Sequence, residues 1–307
     1  MLGRNSFPSK ILLFGEYTII RNSNALAVPF ELFEGSLIFP KKDSKYGRQN
    51  VNGELFAFSK YLKGISLPFD GCSVDTDSFS FDVSQGLSFE SSIPQGYGVG
   101  SSGALCSAIF QRYGHAPMNI LNDPKKMKVI FSNLENHFHG ESSGIDPLIS
   151  FYSKPILLNE LRDISIIDIV PPHKGEGEMF LLNTGRARRT EPLVSLFLEK
   201  CKNQVFTDTL DEMVIPTSNR CINLFLEGNY QALKNDFQAL SELQYEHFIE
   251  MIPKLFRPVW KKGISSREYS LKLCGAGGGG FILGFSRDLE RARTILSDFD
   301  IRPLRFN

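Results

Sequence analysis

The order of apolar and polar residues along this chain predicts short strands interspersed with amphipathic helices. Apolar runs at 10–14, 25–28 and 179–182 are each followed by proline, glycine or asparagine, which is typical of short buried strands. Residues 55–62 and 230–248 have apolar positions at helical spacing. The chain therefore mixes both element types along its whole length.

The segment 123–140 carries the clearest helical pattern. Asp123 before Pro124 is typical of a helix start, and Gly140 is typical of a residue just past a helix end. The apolar stripe of this helix comprises Met127, Ile130, Phe131, Leu134 and Phe138. At 100° per residue, Glu135 is expected at the border of that stripe, half exposed, where a carboxylate can point into a cleft.

Glycine-rich backbone precedes a second apolar helix at residues 94–104 (PQGYGVGSSGA). The first N–H groups of a helix have no internal partner and the helix dipole is positive there, so this segment predicts a phosphate site, with an ordinary turn as the alternative. The pattern G-x-G-x-x-G is met, but Pro94 interrupts the approach and Asp123 is poorly placed for a ribose, which disfavours dinucleotide binding. No lysine follows the glycines, which excludes a Walker A loop.

Another glycine-rich segment lies near the end of the chain. Residues 271–273 alternate like a half-buried strand, and 281–285 resume as a strand after four consecutive glycines, Gly277 to Gly280. Four glycines in a row indicate backbone that approaches a ligand closely, with a flexible turn as the alternative.

Size and charge narrow the class of protein. With 307 residues the chain is long enough for two cores, and a break near residues 171–178 predicts domains at 1–172 and 173–307. A formal net charge of zero, without long blocks of like charge, disfavours nucleic acid and membrane surfaces as partners. Five scattered cysteines and the lack of an apolar leader predict a cytoplasmic protein without a zinc site.

Three motifs in order resemble those of the GHMP kinase superfamily. Residues 9–17 (SKILLFGEY) resemble P-G-K-x-x-L-x-G-E-H, residues 94–104 resemble P-x-x-x-G-L-G-S-S-A, and residues 272–280 (KLCGAGGGG) resemble K-x-T-G-A-G-G-G-G. The resemblance implies an α+β fold of two domains: an N-terminal α/β domain with the phosphate-binding loop, and a C-terminal α+β sandwich. It places the active site in the cleft between them.

Within the superfamily, residues 135–146 (ENHFHGESSGID) are similar to the E-x-x-x-H-G-x-P-S-G-V-D stretch of mevalonate kinases. That similarity implies ATP and Mg²⁺ as cofactors, with Ser102 and Glu135 as metal ligands, and Asp146 and Lys10 as catalytic residues. The implied phosphate-binding positions are Pro94, Gly96, Gly98, Val99, Gly100, Ser101, Ser102 and Gly103. The implied substrate-binding positions are Glu16, Tyr17, Thr190, Gly277 and Gly278.

The sequence departs from the family pattern in four places. Tyr17 stands where mevalonate kinases have His, Ser9 replaces Gly, Gly103 replaces Ala, and Ser142 replaces Pro. In the family, the position of Tyr17 lies near the substrate. The change from His to Tyr therefore puts the identity of the acceptor in question.

Other charged residues have alternative interpretations. His137 and His139 are two residues apart on one helix and therefore point to different faces, which disfavours a shared metal. Arg186, Arg188 and Arg189 would clamp a phosphate if they faced the acceptor, but a solvated turn is the favoured interpretation.

The resemblance implies an ATP-dependent kinase for a small-molecule hydroxyl, with mevalonate as the favoured acceptor. Phosphomevalonate, a sugar or homoserine are alternative acceptors, and a homodimer is left open. A sensor that binds metabolites without turnover is the alternative from another class, and the presence of Lys10, Ser102, Glu135 and Asp146 together disfavours it.

Overall fold

The computed structural model describes residues 5–39, 53–173, 175–188 and 191–306, and its chain packs into two units. Unit 1 comprises residues 1–10, 28–94 and 99–154. Unit 2 comprises residues 11–27, 95–98 and 155–307. Each unit therefore draws on separate stretches of chain, and the division at residues 172 and 173 stays a prediction.

Two long strands belong to both units. They are β1 (Phe7–Phe14) and β2 (Ala25–Ile38), which are neighbours in one sheet. The remaining elements of unit 1 are α1 (Gly53–Lys63), β3 (Ser73–Val74), α2 (Thr76–Ser84), β4 (Ser88–Ser91), α3 (Ser101–Tyr113), β5 (Gly114–His115), α4 (Met118–Leu121), α5 (Pro124–His139) and α6 (Ile145–Tyr152). In this unit the end of β2 pairs antiparallel with β4, from Gly35 opposite Ser91 to Ile38 opposite Ser88.

Helices α3, α5 and α6 form the core of unit 1. The Asp123 side chain caps α5 by accepting from the N–H groups of Lys125 and Lys126, as the sequence predicts. Three aromatic rings, one from each helix, meet with centroid separations of 5.2 to 5.9 Å (Phe110, Phe131 and Phe151). Because all three rings are buried, their packing holds the three helices together within the unit.

Unit 2 combines a four-stranded antiparallel sheet with helices. Its elements are β6 (Ile156–Leu158), β7 (Ile164–Ile166), β8 (Glu178–Asn183), α7 (Glu191–Lys200), α8 (Gln204–Thr209), α9 (Ile215–Leu226), α10 (Tyr230–His247), α11 (Arg257–Ser266), β9 (Ser270–Leu273), β10 (Phe281–Ser286), α12 (Leu289–Ile295) and β11 (Ile301–Pro303). The start of β2 also pairs with β6, with Ala25 opposite Leu158.

The sheet of unit 2 has the strand order β11-β8-β10-β9. Ile282 lies opposite Leu182 on one side and Leu273 on the other. Helix α10 packs on the sheet through Phe237, whose ring lies 5.7 Å from that of Phe285. Helices and strands thus occur in both units, and the predicted α+β class is confirmed.

The prediction that residues 271–273 form a half-buried strand is wrong. Every residue of β9 is buried, including Lys272, whose side chain is 0% exposed. The alternating pattern predicts an exposed Lys272, but the charge of this lysine is compensated inside the protein by partners that lie far away in the chain. No helix among the described residues has the length and apolarity that crossing a bilayer requires.

Gly144 is predicted to be irreplaceable at the start of α6. Its φ is +72°, and a Cβ there would overlap the Lys128 carbonyl oxygen in α5. We expect Gly144→Ala to lower the free energy of unfolding by about 3 kcal/mol, measured by urea denaturation, from left-handed strain and overpacking together. Gly86→Ala is the control, because φ there is +95° but its Cβ would meet no atom within 4 Å. Equal losses in both variants would contradict this account.

Candidate functional site

The glycine-rich loop leads directly into α3, and glycine stands at the positions where the backbone has a positive φ. Gly96, Gly98 and Gly100 have φ of +74°, +70° and +82°, a region that other residues rarely adopt. Gly100 is the residue before the first turn of α3, which Ser101 and Ser102 begin. The first N–H groups of this thirteen-residue helix have no partner within the helix, so the predicted phosphate site has the expected local structure.

Close packing brings the start of α3 against the start of α6. A Cβ on Gly103 would lie 2.7 Å from the carbonyl carbon of Asp146, closer than real side chains approach, which explains why alanine of the family motif is absent. The Ser107 hydroxyl donates to the Pro147 carbonyl at 2.7 Å and holds the two helices together. Asp146 is thereby fixed beside the loop.

Lys10 and Asp146 form an ion pair next to this loop. Lys10 Nζ lies 3.0 Å from Asp146 Oδ1, with side-chain exposures of 15% and 32%. The backbone N–H of Lys10 donates to the Val99 carbonyl at 2.9 Å, and a Cβ on Gly100 would lie 3.0 Å from Lys10 Cγ. The two predicted catalytic residues are thus paired at the amino-terminal end of α3.

Glu135 is buried rather than half exposed, so its predicted position at the border of the helix stripe is wrong. The residue is 3% exposed. Its Oε1 accepts a hydrogen bond from the Ser102 hydroxyl at 2.9 Å, and its Oε2 accepts one from the Ser142 hydroxyl. Both donors lie outside α5, so helical geometry alone could not reveal that the carboxylate has partners inside the protein.

The buried setting of Glu135 makes its carboxyl group hold a proton more firmly. Burial, and then the negative charge of Asp146, raise its pKa to about 7, although hydrogen bonds from Ser142 and Ser102 and the charge of Lys10 act in the opposite direction. A nearby cation would favour the ionised form.

The two histidines near the end of α5 have different surroundings. His139 Nε2 lies 2.9 Å from Ser102 Oγ. His137 stacks against Phe58 and Tyr61, with ring centroids 5.2 and 5.0 Å away. His139 is a contact of the site that the sequence argument set aside.

Ser102 and Glu135 fit a magnesium ion. No cluster of three or more His, Cys, Asp or Glu residues suited to a metal occurs in the described part of the chain. Mg²⁺ does not need such a cluster, because it takes one or two protein oxygens and completes its octahedron with substrate phosphates and water. A hydroxyl and a buried carboxylate 2.9 Å apart at the start of α3 offer that donor set.

In unit 2, Glu16 is held by an internal ion pair. Lys272 Nζ lies 2.5 Å from Glu16 Oε1 and also donates to the carbonyls of Leu13 and Leu273, each at 2.7 Å. Gln244 donates to the same Oε1 at 2.7 Å. Glu16 Oε2 is buried without a hydrogen-bond partner among the described residues. These contacts join the first motif to the third, and a role for Glu16 in substrate binding stays a prediction.

Tyr17 is enclosed by aromatic rings. It packs against Phe197 and Phe248, with centroid distances of 4.8 and 5.7 Å, and those two rings lie 6.2 Å from each other. Its hydroxyl donates to the Ala276 carbonyl in the third motif at 2.6 Å, and its φ is +64°. Burial raises the pKa of Tyr17 far above its usual range, so this side chain stays a neutral phenol.

The turn of the third motif uses part of its backbone for internal bonds. The N–H of Gly278 donates to the Met251 carbonyl at 2.7 Å, and that of Gly280 donates to the Arg186 carbonyl at 2.8 Å. Gly277 and Gly278 have φ of +71° and +75°, which glycine accepts without strain. Contact between these two glycines and a substrate stays a prediction.

Arg188 is not part of a solvated turn, which corrects the favoured interpretation of the arginine cluster. Its guanidinium donates to the Cys274 and Gly277 carbonyls at 3.1 and 3.2 Å, and its backbone N–H donates to the Gly96 carbonyl at 2.8 Å. A Cβ on Gly98 would overlap the same guanidinium. Arg186 is exposed, whereas Arg189 and Thr190 lie outside the described residues.

Arg188 and Arg186 are predicted to differ in their effect on stability. Arg188→Ala removes charge-assisted bonds to two backbone carbonyls, so we expect it to lower the free energy of unfolding in urea by about 2–3 kcal/mol. The exposed Arg186, replaced by Ala, is expected to change it by less than about 0.5 kcal/mol. Similar losses for both would restore the solvated-turn interpretation.

The stability of the protein is predicted to depend on the ionisation of Glu135. Its pKa is raised from 4.5 to about 7, so between these values the folded protein holds a proton that the unfolded chain has released, and the stability from that group is lost as the pH rises. Relative to Glu135→Gln, the wild-type free energy of unfolding in EDTA should fall by about 2–3 kcal/mol from pH 5 to pH 8. Parallel pH curves for the two proteins would contradict the shift.

Known proteins resemble this chain in sequence and fold. Residues 71–154 match the family model of the GHMP kinases N terminal domain. A mevalonate kinase of Dictyostelium discoideum is 23% identical over 342 aligned positions, which cover 91% of this chain and 86% of that protein.

Solved structures share the fold at low identity. The L. major mevalonate kinase in complex with R-mevalonate superposes with a TM-score of 0.63 at 15% identity, covering 97% of this chain and 91% of that one. The Streptococcus pneumoniae phosphomevalonate kinase in complex with phosphomevalonate and AMPPNP has a TM-score of 0.63 at 15% identity, covering 97% and 99%. The resemblance to the GHMP kinases inferred from the three motifs is confirmed by the family model over residues 71–154, and the relatives indicate a small-molecule kinase.

Proposed function

We propose that this protein transfers the γ-phosphoryl group of ATP to the hydroxyl of mevalonate and forms 5-phosphomevalonate. The observation that carries the proposal is the ion pair of Lys10 and Asp146 at the amino-terminal end of α3, beside the hydrogen-bonded Ser102 and Glu135. Phosphoryl transfer asks a protein chiefly for positioning and charge neutralisation, and these four side chains supply both.

Asp146 is the group proposed to receive the proton of the acceptor. As the acceptor oxygen bonds to the γ-phosphorus, the bond from that phosphorus to the bridging oxygen of ADP breaks and the hydroxyl proton passes to the Asp146 carboxylate. Asp146 is about one-third exposed, so an acceptor can reach it, and Gly103 and Lys10 hold it in place. A positioned carboxylate of this kind contributes a factor of roughly 10²–10⁴ to a rate.

Lys10 is proposed to neutralise negative charge on the transferring phosphoryl group. Its ammonium group lies 3.0 Å from Asp146 and is mostly buried, so it is close to where negative charge gathers on the transferring phosphoryl group.

Phosphates of ATP are proposed to bind along residues 94–103, where the α3 amino-terminus attracts anions. Ser102 and Glu135 would hold Mg²⁺, which would neutralise negative charge on the phosphates of ATP. Binding the metal would also draw Glu135 into its ionised form, against the effect of burial.

The acceptor assignment rests on two observations. The relative and one solved structure described above are mevalonate kinases. The guanidinium of Arg188 also bonds to backbone carbonyls of the third motif, which leaves it poorly suited to clamp the phosphate of an already phosphorylated acceptor. A cytoplasmic location and a homodimer stay predictions that accompany this proposal.

An acceptor screen tests the proposal. Purified protein with ATP and Mg²⁺ is incubated with mevalonate, phosphomevalonate, galactose or homoserine, and release of ADP is measured. We expect turnover with mevalonate. Turnover only with phosphomevalonate or another acceptor would reassign the substrate, whereas nucleotide binding without turnover of any acceptor would favour a metabolite sensor.

Asp146→Asn is predicted to lower kcat by about 10² or more, because the amide cannot take the hydroxyl proton. The fold and the KM for ATP should change little, since phosphate binding is assigned to α3. Asp77→Asn is the matched control, because its side chain is 95% exposed and lies on α2. Steady-state kinetics of wild type, Asp146→Asn and Asp77→Asn test this prediction. A kcat near wild type for Asp146→Asn would exclude Asp146 as the group that accepts the proton.

A further inference from the structure

We propose that Ser142 is a positioning residue that fixes the Glu135 carboxylate for the metal ion. The inference rests on the proposed function, in which Glu135 is a metal ligand. Its starting point is the hydrogen bond from the Ser142 hydroxyl to Glu135 Oε2, the carboxylate oxygen that Ser102 does not contact.

A second contact agrees with the direction of that hydrogen bond. The backbone N–H of Gly144 donates to Ser142 Oγ at 3.0 Å. A hydroxyl has one proton, and with Gly144 occupying an acceptor site on the oxygen, that proton is available for Glu135. Ser142 therefore acts as a donor to the carboxylate.

Ser142 is itself anchored to α5. Its backbone N–H donates to Asn136 Oδ1 at 2.8 Å, and its carbonyl accepts from the Ser132 hydroxyl at 2.7 Å. Because Glu135 lies on the same helix, the donor and the carboxylate are held in one rigid frame.

Hydrogen bonds at both oxygens determine the plane of the carboxylate. The terminal torsion of glutamate is broad, so a single contact leaves the group free to rotate. Ser102 on one oxygen and Ser142 on the other remove that freedom and leave further lone pairs available to a cation. Pre-orientation of this kind strengthens metal binding, since partners of metal ligands typically contribute 10- to 100-fold in affinity.

This arrangement belongs to the chain rather than to the motif it resembles. Proline, the residue of that motif, has neither the hydroxyl that reaches Glu135 nor the N–H that reaches Asn136. Serine at this position therefore adds two contacts that a proline could not make.

Binding of Mn²⁺ in the presence of a non-hydrolysable ATP analogue, followed by electron paramagnetic resonance, tests the proposal. We expect Ser142→Ala to weaken Mn²⁺ binding by about tenfold. Ser142→Thr keeps the hydroxyl and should stay within about threefold of wild type. The control Ser84→Ala removes an exposed hydroxyl that donates to a carbonyl of α2, and it should leave Mn²⁺ affinity unchanged.

Four results would overturn the proposal, and a fifth concerns the function itself. Unchanged Mn²⁺ affinity in Ser142→Ala would exclude a positioning role, and so would equal weakening in the Ala and Thr variants or in the Ser84 control. If Ser142→Ala does not fold, Ser142→Cys takes its place, because a thiol of similar size is only a weak donor, and unchanged affinity there would again exclude the role. If wild-type protein binds no Mn²⁺ with the nucleotide analogue, the proposed metal site fails and not Ser142 alone.

Discussion

A carboxylate removed from water must be compensated, and each unit of this protein meets that constraint in its own way. In unit 2, Glu16 is compensated by the ammonium group of Lys272 and by Gln244. In unit 1, Glu135 is compensated by the hydroxyls of Ser102 and Ser142, and among the described residues no lysine or arginine forms an ion pair with it. The first arrangement neutralises the charge and joins two motifs. The second leaves a charge that a metal ion would neutralise.

Local signals in the sequence were sufficient for α5 and for the order of the motifs, but not for β2, which was expected to end before Pro29 and instead runs to Ile38. The boundaries of α5 follow from Asp123, Pro124 and Gly140, because caps and prolines act on the residues next to them. The pairing of Lys10 with Asp146 agrees with the roles that the family resemblance implies, although 136 positions separate them.

Burial was harder to predict because it depends on partners far away in the chain. Glu135 at the edge of an apolar stripe gives no sign that two serines from other segments will bond to it. Lys272 breaks an apolar strand, and only the fold shows that Glu16 lies opposite it. The same holds for Arg188, whose guanidinium occupies space that Gly98 leaves open.

The four departures from the family motifs each have a physical counterpart in the structure. Ser9 is buried and donates to the Phe30 carbonyl, and Gly103 makes room for the backbone at the start of α6. Tyr17 belongs to an aromatic stack, and Ser142 donates to Glu135. These positions are therefore the most informative ones for what distinguishes this chain from the kinases it resembles.

We propose that Ser102 and Glu135 hold a divalent cation at the start of α3. Anomalous diffraction from crystals grown with Mn²⁺ and a non-hydrolysable ATP analogue tests it most directly. The account predicts a manganese peak at about 2.1 Å from a Glu135 carboxylate oxygen and from Ser102 Oγ, with phosphate oxygens completing the coordination. A peak bound by other side chains, with Glu135 still hydrogen-bonded only to the two serines, would contradict it.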